Sequence, residues 1–250
     1  MAAFGWCWIK AAGETLLDLI YPPRCPFCGK ILDQSLNGTP SRIVHTEDRR
    51  RAIVCGECAA SLPWRENALR NFPGGFVCAG PLVYTDSVRE TLLKFKFRGE
   101  ISFAEPLGAL VAQCAADCFS GEFDAVTWVP ISRERRRKRG YDQAEELAKA
   151  AGRVWNVRPE RFLVKTKNNP PQSSLDSAAE RIRNAAGVYA VDGKNTDNSP
   201  VRGKRILLID DICTTGATML ECRRVLLENG AAAVFGAVVA IPGSSQEEFS

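Results

Sequence analysis

The chain has 250 residues, 45% hydrophobic and 25% charged, with a net charge of +4 and a pI near 8.5. That balance is ordinary for a soluble globular protein of one large domain and a small one, and so mild a basic excess does not by itself indicate nucleic acid. Ten cysteines are too sparse for a disulfide scaffold, and no apolar run reaches the roughly 18 residues of a membrane span.

In chain order, residues 8–20 carry apolar side chains at helical spacing, a short amphipathic helix that stops before Pro22-Pro23. Its mixed charges favour core packing over a membrane surface. The N-terminus lacks a basic leader, and Lys10, Glu14 and Asp18 interrupt its apolar run, so it does not read as a secretory signal; a reducing cytoplasm is the simplest location. Residues 21–66 hold two cysteine pairs around a polar stretch, Ser35 to Arg51, that reads as a loop or insertion. Residues 67–78, with Pro73-Gly74-Gly75, look like a linker. From Ala79 onward strands and helices alternate. The predicted strands are 81–84, 125–129, 162–164, 188–191, 205–209 and 233–241; the predicted helices are 88–97, 103–119, 141–155 and 217–228. Apolar strand runs without alternation predict a parallel sheet covered on both faces, hence an α/β fold. The expected division is 1–66 for the helix and cysteine module and 79–250 for the α/β domain.

Cys25-Pro26-Phe27-Cys28-Gly29 and Cys55-Gly56-Glu57-Cys58 have the form of metal knuckles. Two residues between thiolates let one tight turn aim both sulfurs at a single ion, and two knuckles give a closed Cys₄ site with no catalytic vacancy. A structural zinc is the expectation; an iron–sulfur cluster or free redox cysteines are the alternatives. The 26 residues between Cys28 and Cys55 exceed the usual zinc-ribbon gap, and the polar loop accounts for the excess. Cys78, Cys114, Cys118 and Cys222 lack metal spacing and read as buried thiols. His45, the single histidine, reads as a bystander, though it could replace one ligand; with only one histidine a Ser-His-Asp triad is improbable.

Ile206-Leu207-Leu208-Ile209 runs into Asp210-Asp211, then Ile212-Cys213-Thr214-Thr215-Gly216, then the helix that starts at Ala217-Thr218. A strand, a short Thr/Gly loop and a helix start form an anion site: unpaired N–H groups and the helix dipole point at the ligand, hydroxyls add donors, and glycine lets the backbone approach. A helix cap alone would need one acid or hydroxyl, not two acids and three threonines. A Walker loop is excluded, because no Gly-Lys-Ser/Thr follows. Six of the seven residues from Arg133 to Arg139 are basic, either a solvated face or a second anion site.

Residues 206–218 resemble the phosphoribosyl pyrophosphate signature of type I phosphoribosyltransferases. The wider chain is similar to the ComF family, linked to competence for DNA uptake, through Tyr21-Pro22-Pro23-Arg24-Cys25, Leu93 to Gly99, Val129-Pro130-Ile131-Ser132, Arg139-Gly140-Tyr141-Asp142-Gln143-Ala144, Pro170-Pro171-Gln172, and Arg181 with Asn184. Asp142 departs from the family's usual Asn. The resemblance implies a type I phosphoribosyltransferase-like parallel sheet flanked by helices, with an N-terminal zinc-ribbon module holding zinc on Cys25, Cys28, Cys55 and Cys58. It implies that Asp210 and Asp211 hold the ribose hydroxyls as the catalytic acids. Thr214, Thr215, Gly216, Ala217 and Thr218 cradle the 5′-phosphate, and Pro130, Ile131 and Ser132 form a pyrophosphate loop. Magnesium enters with the substrate's own oxygens. Arg139 and Lys94, with Lys96 and Arg98, are candidate cations for the leaving pyrophosphate. Residues 165–183 are polar and would form a closing hood.

The resemblance thus implies a phosphoribosyltransferase, a pentosyl glycosyltransferase whose acceptor is unreadable. Two alternatives use the same features. One is a DNA-uptake accessory protein that binds single-stranded DNA or partner proteins of the uptake machinery, its tract at 133–139 flanked by Trp128 and Tyr141. The other is a sensor of phosphoribosyl pyrophosphate without turnover.

Overall fold

The computed structural model describes residues 22, 24–32, 43–45, 50–169, 177–192 and 199–243. The helix expected over residues 8–20 lies outside them. Within the cysteine region, β1 (Ile43–His45) and β2 (Arg50–Ala52) form an antiparallel hairpin inside the stretch expected to be loop, and α1 spans Gly56–Ser61.

Four strands of the main sheet pair in parallel in the order β4–β10–β9–β6: β4 (Phe76–Ala79), β6 (Ala125–Trp128), β9 (Arg205–Ile212) and β10 (Ala233–Ile241). The short β5 (Leu82–Val83) also pairs in parallel with β10. Antiparallel β3 (Leu69–Phe72) closes the edge beyond β4. Residues 67–78 are therefore mostly a hairpin of the sheet rather than a linker: Gly74 and Gly75 turn the chain at positive φ, and Phe72, Phe76 and Cys78 bury between the sheet and its helices. Propensity at Pro-Gly-Gly marks the turn but not the strands that tertiary pairing creates around it.

The helices are α2 (Asp86–Phe97), α3 (Ala104–Phe119), α4 (Arg133–Arg139), α5 (Gln143–Val154), α6 (Ala178–Ala185) and α7 (Ala217–Glu228). Strand alternation sorts the core into two layers. Val126, Trp128, Leu207 and Ile209 pack with Val88, Leu92, Phe95, Leu107, Leu110 and Leu147 on the α2/α3/α5 side. Ala125, Val129, Ile206 and Leu208 pack with Met219, Cys222, Val225 and Leu226 on the α7 side. On α5, Ala144, Leu147, Ala148 and Ala151 give the i, i+3, i+4, i+7 stripe of a core helix. Small residues bring α3 and α5 together: a Cβ on Gly108 would sit 2.4 Å from the Ala150 Cβ.

Two strands expected in the main sheet, near 162–164 and 188–191, instead form a separate antiparallel ribbon, β7 (Leu163–Lys165) with β8 (Tyr189–Val191), packed over α7. Cys25, Leu32, Ile53, Val54 and Leu62 join the same core as α2 and α3, so the cysteine module shares its interior with the α/β layer.

Candidate functional site

β9 continues past the expected Ile209 to Ile212, with Asp210 beside Val238 and Ile212 beside Ala240 of β10. The acids therefore belong to the strand, and its alternation sends their side chains to opposite faces. Asp211, 6% exposed, turns toward α2, where the Lys96 ammonium pairs with its carboxylate. Asp210 turns toward the α7 side and accepts a hydrogen bond from the Asp211 N–H at 2.8 Å. Burial, then the Asp211 charge, pushes the Asp210 carboxyl well above the usual carboxylate range, and Lys96 opposes that shift. Asp210 stays partly exposed near the end of β9.

After β9 the chain turns through residues 213–216 into α7. Gly216, at φ 75°, is the N-cap of α7, and a Cβ there would also lie 2.6 Å from the Phe72 ring. Thr215 Oγ1 accepts from the Ala217 N–H at 3.4 Å. The N–H groups of Thr214, Thr215 and Gly216 find no acceptor among the described residues, so the loop presents donors at a helix start. Thr218 lies one residue into α7.

Pro130, Ile131 and Ser132 follow β6, the strand next to β9, with Trp128 opposite Ile209. Ser132 caps α4, its Oγ accepting from the Arg135 N–H at 3.3 Å. The Asp142 carboxylate ties this loop down: Oδ2 accepts from the Ile131 N–H at 3.0 Å, and Oδ1 accepts from Ala144 and Glu145 at the start of α5. Burial raises the Asp142 carboxyl to about 6, against the pull of those N–H donors.

Arg139 stacks over Phe97 at 4.8 Å, donates to Gln143 Oε1 at 2.7 Å and lies within reach of the Asp211 field. Lys94, named with it from sequence, pairs instead with Glu90 at 2.9 Å; the cation that reaches the acids is Lys96. Lys165 of β7, read from sequence only as the first residue of the polar hood, lies half-buried above the Tyr189 ring. Burial, then Arg135, lowers it to about 8, while Asp210 acts in the opposite sense. The segment expected to be a hood is tied to the loop after β6 and to α4: Ser132 Oγ donates to Asn168 Oδ1 at 3.0 Å, and Arg135 donates to the Asn169 carbonyl at 2.6 Å. Residues 170–176 lie outside the described residues.

The Sγ atoms of Cys25, Cys28, Cys55 and Cys58 all lie within 4.8 Å of one another, and Cys28 and Cys55 are 3.5 Å apart. Tetrahedral zinc thiolates stand about 3.8 Å apart, given Zn–S bonds of about 2.3 Å, so the four sulfurs fit one such metal. Among the described residues this is the one group of His, Cys, Asp or Glu close enough to share an ion. No helix among them is long and apolar enough to cross a membrane.

Residues 138–250 match the phosphoribosyl transferase domain family. The competence protein ComFC of Bacillus subtilis is 32% identical over 150 residues, which span 60% of this chain and 58% of that protein. The DNA utilization protein YhgH of Salmonella typhimurium is 30% identical over 237 residues, 92% of this chain and 94% of that protein. For the Bacillus protein and for Escherichia coli YhgH, matched over 61% of its length, the chain covers less than two thirds of the relative. Among solved structures, the allosteric regulatory enzyme of purine biosynthesis overlaps 58% of this chain and 29% of its own, at 19% identity and a TM-score of 0.39.

Proposed function

Because the chain belongs to the ComF family of phosphoribosyltransferase-like proteins, we propose that it binds phosphoribosyl pyrophosphate where β9 hands over to α7 and transfers its phosphoribosyl group to an acceptor. The observation that carries this reading is the loop before α7, where the N–H groups of Thr214, Thr215 and Gly216 stay unpaired among the described residues beside two acids at the end of a buried parallel strand. Ligands of open parallel sheets bind at that end of the strands.

The 5′-phosphate takes the donors of Thr214, Thr215, Gly216 and Ala217, with the Thr218 hydroxyl behind them. Asp210 is the carboxyl open to the crevice for the ribose hydroxyls. Asp211 reaches them only over the strand's end, held there by Lys96. Pyrophosphate lies along Pro130-Ile131-Ser132, a loop kept in place by Asp142, with Arg139 and Lys165 at its margin. As the bond to the anomeric carbon lengthens, positive charge grows on the ribose and negative charge on the leaving group. Fixed donors and cations lower the barrier because they already face that charge. Magnesium bound with the substrate would supply further neutralisation; the anomeric carbon bonds to the acceptor nucleophile as its bond to pyrophosphate breaks, and pyrophosphate departs with that electron pair. The four thiolates hold a structural zinc, since a closed sulfur set leaves no position for a reactant.

Calorimetric titration with phosphoribosyl pyrophosphate and magnesium tests the site. Wild type binds, and the Asp210→Asn, Asp211→Asn double variant does not; equal affinity in both sinks the assignment. Incubating labelled substrate with an acceptor panel then separates a transferase from a sensor.

A second reading, an accessory protein of DNA uptake that binds single strands, rests on the outer cations of α4. Arg133 and Arg136 line a cleft of about 280 Å³ with Arg161, and the neighbouring open surface adds Arg137. Trp128 and Tyr141 are 7% and 9% exposed, too covered to stack on bases, so this reading has cations but no aromatic platform. Binding to single strands that is weak and insensitive to salt would dismiss it.

A further inference from the structure

Helix α2 touches both centres of the protein. On its outer side Thr91, 2% exposed, shares its hydroxyl between the carbonyl of Pro26 and that of Ser87 one turn back, each at 3.3 Å, and Pro26 lies inside the first cysteine turn. That turn is closed by hydrogen bonds from the Cys25 N–H to Lys30 and from the Gly29 N–H to Cys25. Val88, Leu92 and Phe95 follow one another along the helix at core spacing, fully buried in the cluster that also holds Cys25, Leu32, Ile53 and Val54. Phe27, Cys55 and Cys58 pack against that cluster.

The last turn of the same helix meets the phosphoribosyl site. The Tyr141 hydroxyl donates to the Phe95 carbonyl, and their rings lie 5.7 Å apart. Lys96 pairs with Asp211, and the Phe97 ring lies under Arg139. From Thr91 to Lys96 the helix rises only about 7.5 Å, at 1.5 Å per residue, so both contacts belong to one rigid segment. Lys96 is the cation paired with Asp211 among the described residues.

We infer that α2 is a strut: the metal-bound cysteine centre fixes its outer side, that fixation holds Lys96 as the positioning residue for Asp211, and zinc occupancy and phosphoribosyl pyrophosphate affinity are thereby coupled. The inference rests on the assignment of residues 210–218 as the phosphoribosyl pyrophosphate site. Without metal, the two cysteine turns lose their common anchor and the Pro26 carbonyl its fixed place. Thr91 then keeps only the Ser87 carbonyl of its own helix, the tie from α2 to the cysteine turn is lost, and Lys96 is free to shift. Binding constellations lose affinity when a positioning group moves by a fraction of an ångström. Lys96 also restrains the upward shift of Asp210, so its displacement alters both acids at once.

The test is calorimetry on the full chain under a non-thiol reductant, titrating phosphoribosyl pyrophosphate with magnesium. Zinc content is measured on every sample. Wild type is compared zinc-loaded and zinc-stripped, Lys96→Met likewise, and Thr91→Val zinc-loaded. Stripping weakens wild-type binding by about 5- to 100-fold, the usual span of coupling between two sites. Lys96→Met binds weakly when loaded and loses most of the loaded-to-stripped ratio. Thr91→Val keeps one equivalent of zinc and still binds more weakly than wild type. An equal affinity for loaded and stripped wild type overturns the coupling, and so does a ratio in Lys96→Met that matches wild type. If stripping unfolds the chain, the loaded Thr91→Val sample decides: wild-type affinity there overturns the strut. If loaded wild type binds no phosphoribosyl pyrophosphate, the site assignment fails first; if it binds tightly while the ratios are unity, only the coupling fails.

Discussion

Asp142→Asn, the exchange to the residue usual in the family, should flatten one limb of the protein's stability against pH. The Asp142 carboxyl is 2% exposed, and burial lifts it from an ordinary 3.8 to about 6. A gap of roughly two units corresponds to about 3 kcal/mol against the folded state at pH 7, where the group is ionised in both states. As the pH falls, the folded chain takes up the proton first, near pH 6, and the unfolded chain only near 4. Stability from this group therefore rises as pH drops through that window and is level below it. Asn carries no charge, so its variant lacks the limb. It also cannot accept from Ile131 while its oxygen caps α5, which leaves a buried N–H unpaired at a cost of about 1–3 kcal/mol at every pH. Urea unfolding of both proteins between pH 4 and 7.5 measures the difference. The wild type should gain up to about 3 kcal/mol on the variant as the pH falls. Parallel curves would refute an ionised, buried Asp142 under the pyrophosphate loop.

Lys165→Met should remove a basic limb from ligand binding: with the ammonium lowered to about 8, affinity of wild type for phosphoribosyl pyrophosphate falls as pH rises through 8, and calorimetry at pH 7 and 9 should show the variant indifferent to the change. Gly216→Ala forces a left-handed φ on a side chain, at about 1–2 kcal/mol, and drives its Cβ into the Phe72 ring; thermal melts should drop by a few degrees and phosphoribosyl pyrophosphate binding should be lost. Cys25→Ser should lower zinc below one equivalent and, because structural zinc contributes on the order of 10 kcal/mol, expose residues 24–62 to hydrogen exchange.

The strands and helices with long apolar runs were legible, because β9, β10, α3 and α7 are fixed by burial, which leaves its period in the sequence. So was the turn between β9 and α7, since Thr214, Thr215 and Gly216, whose N–H groups stay unpaired among the described residues, are adjacent in sequence. What stayed hidden depends on pairing between distant segments. Leu69 to Ala79 becomes a hairpin only because β10 offers it an edge. Asp210 and Asp211 look like one motif in sequence, yet a strand that runs on to Ile212 parts their side chains. Lys94 and Lys96 flank the buried stripe of α2 at about equal angles, so the helical period cannot say which faces the acids. The position of β9 decides it, and Lys96 is the one that pairs.

The same geometry divides the basic tract, which composition left as either a solvated face or an anion site, between two sides of one helix. As a seven-residue helix, α4 turns by roughly 100° per residue, so Arg135 and Arg139 share one side while Arg133, Arg136 and Arg137 share the other. The first pair faces the end of β9: Arg135 holds the Asn169 carbonyl, and Arg139 lies over Phe97 within the field of Asp211. The second set faces outward, where Arg136 is already paired with Glu145 at 2.7 Å and Arg133 lines the cleft beside Trp128 and Asp142. Arg133, Arg136 and Arg137 thus turn away from the end of β9. Under the proposed function, substituting Arg135 or Arg139 should change phosphoribosyl pyrophosphate binding or transfer, whereas substituting Arg133 or Arg137 should change only what binds outside that site.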